Sequence, residues 1–149
     1  MAEASNALIF SYRIQLGLRV DSLQDYVAAF FRSSAAGPWW PDEEPERRPH
    51  LLQFSRGNWH SSDRTGQRTP LPILSDPAGH PLPATRPAQL AVVVQHLHDG
   101  NTVIAIRYRY LFPVQEVAVQ QNREREHAFW QQKTQAEVDE LTSYLEQSL

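Results

Sequence analysis

Leu8, Phe10, Tyr12, Ile14, Leu16, Leu18 and Val20 occupy every second position near the start of the chain. Ser11, Arg13, Gln15, Gly17 and Arg19 stand between most of them. A period of two is the signature of a strand with one buried and one wet face, because successive strand side chains point to opposite sides. Strands of this kind belong to antiparallel sheets; parallel strands, covered on both faces, read instead as continuous apolar runs. The alternation runs over 13 residues, longer than most strands, so a bend is expected at Gly17.

A short helix is expected directly afterwards, over 22–32. Asp21 is a good N-cap, and Gln24 follows three residues on, as in a capping box. Leu23, Tyr26, Val27, Phe30 and Phe31 then form one apolar stripe at helical spacing, and Gly37-Pro38 closes the segment. The middle of the chain differs in kind. Ten of the 11 prolines fall between Pro38 and Pro87. Proline removes ladder donors and breaks helices, so 37–87 reads as loop with short edge strands. The strand candidates inside it are 51–55, continuing past Gly57 to His60, and 71–74; 75–87 reads as a long surface loop.

Two strong strands follow, over 89–98 and 102–112, with Asp99-Gly100-Asn101 as the turn between them. A three-residue loop pairs His98 with Thr102. It sets Leu90, Val92 and Val94 against Tyr110, Tyr108 and Ile106 on one apolar face and leaves Arg107 and Arg109 on the other. A continuation past Pro113 to Val119 is expected. The chain then reads as helix over 122–149, about 40 Å long at 1.5 Å per residue. Trp130, Thr134, Val138, Leu141, Leu145 and Leu149 form a continuous stripe. The charged residues Glu124, Glu126, Lys133, Glu137, Asp139 and Glu140 lie largely off it. Thr134 and Glu137, read as seam positions, weaken a strict coiled coil, so the helix is expected to pack on its own sheet.

The whole is a single α+β domain over 1–149: a curled antiparallel sheet packed on a long C-terminal helix, with a short helix after the first strand. At 149 residues and 41 % hydrophobic content the chain can bury a real core. It has no cysteine, which removes disulfides, thiolate nucleophiles and cysteine metal sites and fits a cytoplasmic location. MAEASNALIF has no basic leader and carries Glu3, so no secretory signal is read. No apolar run approaches the ~20 residues of a membrane span. A net charge of −3 gives no overall attraction to nucleic acid or to an anionic membrane.

The order of the strand around Phe10, the helix of Phe30, the strand 102–112 and the helix from Trp130 onward resembles the START/Bet v1-like helix-grip architecture. That family wraps an antiparallel sheet around its C-terminal helix and often keeps a ligand cavity between them. No family motif is matched, so the resemblance implies a fold and transfers no functional residue.

Among chemical motifs, His96 and His98 share a strand face, with His60 as a conceivable third metal ligand, but no acidic partner has ligand spacing. In Arg107-Tyr108-Arg109-Tyr110 the tyrosines follow the apolar face and the arginines the other. This is not a stacking platform for nucleic acid, although Arg13, Arg19, Arg107 and Arg109 can form a basic outer patch. Trp39-Trp40 stands before an acidic, proline-flanked stretch (Asp42, Glu43, Glu44, Glu46), and the loop 39–46 suits either a pocket lid or a partner anchor. The acids there read as solvated, with no burial to prepare acid chemistry. Glycine-rich phosphate loops, nucleophile elbows and H-E-x-x-H are absent.

The leading expectation is a non-enzymatic binding protein with no cofactor and no metal. It takes a small apolar or aromatic ligand on Tyr12, Phe30, Tyr108, Tyr110, Trp130 and His96 between sheet and helix, or a protein partner on Trp39 and Trp40. Neither nucleic acid nor membrane is expected as partner. The alternatives are a cyclase- or isomerase-type enzyme with His96, Tyr108 or Tyr110 as acid or base, and a homodimeric structural or assembly factor.

Overall fold

The computed structural model describes residues 6–42, 50–61, 68–113 and 122–149. Strand β1 spans Asn6–Leu16 and helix α1 Leu23–Arg32. Short strands follow: β2 (Trp40–Pro41), β3 (Leu51–Arg56), β4 (Trp59–Ser61) and β5 (Arg68–Pro70). A 3-10 turn at Pro83–Thr85 leads to β6 (Ala88–His96) and β7 (Thr102–Phe112), and helix α2 spans Arg123–Ser148. The main sheet runs β1-β7-β6-β3-β2 and β4 pairs with β5; every pairing is antiparallel. This is the α+β arrangement that the alternation of β1 and the stripe of α2 predict.

The alternation decides the layers. In β1, Leu8, Phe10 and Ile14 are buried while Ile9, Ser11, Arg13 and Gln15 are exposed. Ile104, Ile106, Tyr108 and Tyr110 of β7, Leu90, Val92 and Val94 of β6 and Phe54 of β3 complete the buried face. Both helices cover it. Phe31 of α1 meets Phe54 with ring centroids 5.9 Å apart, and Trp130 of α2 stacks on Tyr110 at 4.6 Å. Leu23, Val27 and Phe31 are fully buried, as the α1 stripe requires.

Several local expectations change. Strand β1 stops at Leu16, and Leu18 and Val20 leave the sheet: the Leu18 carbonyl accepts the Thr102 hydroxyl at 2.9 Å. No capping box forms. Ser22 holds the N-cap position without a side-chain cap bond, and Asp21 instead accepts the Arg19 Nε–H at 3.2 Å. The β6–β7 turn is displaced by one residue. Gly100 has φ +89°, and a three-residue loop puts its left-handed residue third. The loop is therefore 98–100, closed by Leu97 N–H on the Asn101 carbonyl at 2.8 Å. His96, not His98, pairs with Thr102, and Leu90 lies opposite Tyr108. A two-residue shift preserves the faces, so the apolar and arginine sides come out as expected.

In the middle segment, 71–74 is irregular and β5 forms just before it. The stretch 75–87 is a folded loop. The Asp76 carboxylate caps the Ala78 and His80 amides, and the Leu82 amide donates to the Leu74 carbonyl. Gly57 (φ +100°) anchors its far end; a Cβ there would sit 2.2 Å from the Arg86 carbonyl oxygen. The continuation past Pro113 to Val119 and the acids Glu43, Glu44 and Glu46 lie outside the described residues.

Candidate functional site

The chain places two candidate surfaces on opposite sides of the sheet. On the buried side, Glu137 of α2 is 2 % exposed. Its position, three residues after Thr134 and four before Leu141, turns it into the core with the stripe rather than out to solvent. Its carboxylate accepts the Ser34 hydroxyl at 2.5 Å, the Tyr108 hydroxyl at 2.8 Å and the Trp39 indole N–H at 3.3 Å. Arg56 completes the set, with Nη1 3.5 Å from Glu137 and 3.1 Å from the Gly37 carbonyl, and Nη2 donating to the Tyr110 hydroxyl at 3.2 Å. The guanidinium also lies 4.1 Å from the Trp39 ring centre. Arg56 is inside because the alternation of Leu52, Phe54 and Arg56 leaves it on the core face.

Buried charge is tolerated when its lone pairs and protons find partners. The shortest bonds here are those from Ser34 and Tyr108, so neutral donors complete what the longer Arg56 contact begins. Burial first, and then the Glu137 carboxylate beside it, pushes the Tyr108 hydroxyl well above the ordinary tyrosine value. Burial likewise raises Tyr110, against a partial pull downward from Arg56. Both phenols stay protonated at neutral pH and act as hydrogen-bond donors and packing surfaces.

The ring cluster expected to take a ligand is partly assembled around this centre. Tyr108 and Tyr110 stack at 6.2 Å, Tyr110 and Trp130 at 4.6 Å, and Tyr12 meets Tyr108 edge-on at 6.0 Å while its hydroxyl sits 2.5 Å from the Thr134 hydroxyl. These side chains occupy one another's space. The other two candidates lie elsewhere. Phe30 packs on Phe31 and Tyr144, fourteen residues or about 21 Å along α2 from Trp130. His96 ends β6 with Nδ1 3.0 Å from the Thr102 hydroxyl, eight residues or roughly 26 Å along the strand from the residue opposite Tyr110. His98 is exposed in the turn, and no cluster with a metal-ligand set occurs among the described residues.

The adjacent tryptophans part company. Trp39 is 1 % exposed and its amide donates to the Phe31 carbonyl at 2.9 Å, so it is an internal element and not a displayed anchor. Trp40 is 55 % exposed and pairs with Ser55 on the outer face of the sheet. That outer face is the second surface. The register sets Arg107 beside Ser11 and Arg109 beside Ile9, with Arg13 beside Ala105 on the neighbouring strand. All three arginines are exposed, as are Ile9 at 46 % and Val93 at 39 %. Arg109 donates to the Gln89 amide oxygen at 3.0 Å. Arg19, expected in this patch, lies past the end of β1 and turns to Asp21. Among the described residues, the carboxylate bordering this face is Asp42, held by Ser55 at 2.6 Å and Arg68 at 3.3 Å beside β2.

No protein-family model and no curated protein matches the chain. A solved structure, that of the protein of unknown function SA2116 from Staphylococcus aureus, is similar to it over 97 % of this chain and 96 % of that one, with a TM-score of 0.51 and 10 % identity. At that identity the likeness concerns the fold alone. No helix among the described residues is long and apolar enough to cross a membrane.

Proposed function

We propose that this chain is a non-enzymatic binding protein that docks an acidic polypeptide on the outer face of its sheet. The observation that carries the reading is the arrangement of Arg13, Arg107 and Arg109 on the adjacent strands β1 and β7, with no carboxylate facing them among the described residues. Arginine is the preferred cation for carboxylate recognition because its planar fork binds both oxygens at once. The exposed Ile9 and Val93 supply apolar contact around the charges, and arginine is among the residue types that concentrate binding energy at interfaces. The inner face supports the same choice. Where a helix-grip cavity would lie, Tyr110 and Trp130 stack on each other, Tyr108 donates to Glu137 and Arg56 donates to Tyr110. Nucleic acid fits less well, since a strand-tracking face needs several exposed aromatics and Trp40 is far from the arginines, beyond β6 and β3.

The test is a titration of isotopically labelled protein with an oligo-glutamate peptide and, separately, with poly-uridylate, followed by amide NMR. The expected result is peptide-induced shifts on the outward residues of β1, β7 and β6. They should weaken as salt rises and disappear in the Arg107→Glu/Arg109→Glu variant, whose exposed positions leave the core intact. Absence of shifts on that face, or tighter binding of the polynucleotide, refutes the proposal.

A further inference from the structure

The two edges of the main sheet are built differently. One edge is β2, two residues long and ended by Pro41. Short strands and proline are the usual means of blunting an edge. The other edge is β1, 11 residues long, free of proline and paired with β7 in unbroken register from Asn6↔Phe112 to Leu16↔Thr102, without a bulge. Among the described residues β1 pairs on one side only. Among the described residues the guards on it are modest: Arg123 Nη2 donates to the Ala7 carbonyl at 3.2 Å near its end, and Arg13 places one charge on its outer face. A long, regular strand with an open side is a template for another strand.

We infer that β1 is a homodimerisation edge, pairing antiparallel with β1 of a second copy about a twofold axis at Ser11. The strand is self-complementary in that register. Phe10 meets the partner's Tyr12 and Leu8 meets the partner's Ile14, so the buried faces of the two sheets run on into each other. On the outer face Ser11 meets the partner's Ser11, and Arg13 meets the partner's Ile9. No like charges are opposed. A shift by one residue would set each apolar face against the other copy's wet face. The helix flank above the edge matches this role. His127 packs on Phe10, the Tyr12 hydroxyl donates to the Gln131 carbonyl at 3.3 Å, and Gln135, one turn further along that side, is uncharged. The pairing also closes: it consumes the long edge of both copies and leaves two blunted β2 edges outside, so a dimer forms and not a fibre.

This inference concerns the sheet edge and stands or falls separately from the acidic-partner reading of the sheet face. The chain has no cysteine, so a single introduced thiol reports without background. Paired residues at the axis lie about 4.5–5.5 Å apart at Cα, within the range a disulfide spans. Sedimentation velocity of the wild-type chain is expected to show a mass that doubles with concentration. Mild oxidation of Ser11→Cys should give a covalent dimer on non-reducing gels, whereas Gln95→Cys, equally exposed on β6, should stay monomeric. A concentration-independent monomer overturns the inference, as does a dimer in which Cys at 11 fails to cross-link or cross-links no faster than Cys at 95.

Discussion

Replacing Glu137 by alanine tests the central claim about the core, that a buried carboxylate ties α2 to four residues on three other parts of the chain. The variant removes the acceptor for Ser34, Trp39 and Tyr108 and leaves the Arg56 guanidinium, whose side chain is 7 % exposed, without its counter-charge. Breaking a buried ion pair from one side costs about 3–5 kcal/mol. The individual hydrogen bonds, about 1.5–3 kcal/mol each when charged, are not additive with that figure. About 4 kcal/mol is a large share of the ~5–15 kcal/mol that holds a domain together. At about 2–4 °C per kcal/mol for a chain of this size it lowers Tm by roughly 10 °C. Urea denaturation followed by tryptophan fluorescence and far-UV circular dichroism reads the change, and a cycle with Arg56→Met and the double variant isolates the pair. The expected coupling exceeds ~1 kcal/mol, with the double variant destabilised by less than the two single variants combined. A Glu137→Ala cost below ~1 kcal/mol, or a coupling within ~0.5 kcal/mol of zero, would refute the reasoning.

Two further predictions rest on the same region. Tyr108 and Tyr110 hold their protons more tightly folded than unfolded, where the ordinary value is 10.0. Their contribution is therefore complete below pH 10 and is lost as pH rises above it, by up to about 1.4 kcal/mol per pH unit for each tyrosine. Phenolate absorbance of two of the 5 tyrosines should appear together with loss of the circular dichroism signal; their ionisation with the fold intact would contradict the burial argument. Trp39→Ala should cost about 3–5 kcal/mol as a large core truncation, and Trp40→Ala about 0.5 kcal/mol or less. Equal costs in urea midpoints would show that the two indoles are not divided between core and surface.

The elements that the sequence makes legible are those in which one period dominates. The alternation from Leu8 to Leu16 and the stripe from Trp130 to Leu145 define the sheet face and the helix that covers it. The arginine side of β7 follows from the same parity, which is why a two-residue error in the hairpin register left it intact. Where the chain is proline-rich, periodicity is interrupted and short-range signals mislead: 71–74 looks apolar enough for a strand, yet β5 forms on Arg68–Pro70 through its pairing with β4. The buried hub was half visible. Glu137 fits the stripe by position, but its charge reads as a solvent-facing side chain. Its partners Ser34 and Trp39, on the connection between α1 and β2, and Arg56, on β3, lie on segments that only the tertiary fold brings to it. Arg56 alone carried a local signal, two residues after Phe54 on the same strand face.

The separation of those partners along the chain has a consequence for synthesis. Arg56 meets Glu137 81 residues later, and Ser34 meets it 103 residues later. At about 5–20 residues per second, a ribosome leaves the Arg56 guanidinium without its carboxylate for several seconds after making it. The β1 strand likewise waits for β7 before it has a sheet to join. The native core therefore closes only once most of α2 has emerged, and the stretch that is exposed throughout that interval is the apolar, proline-free β1.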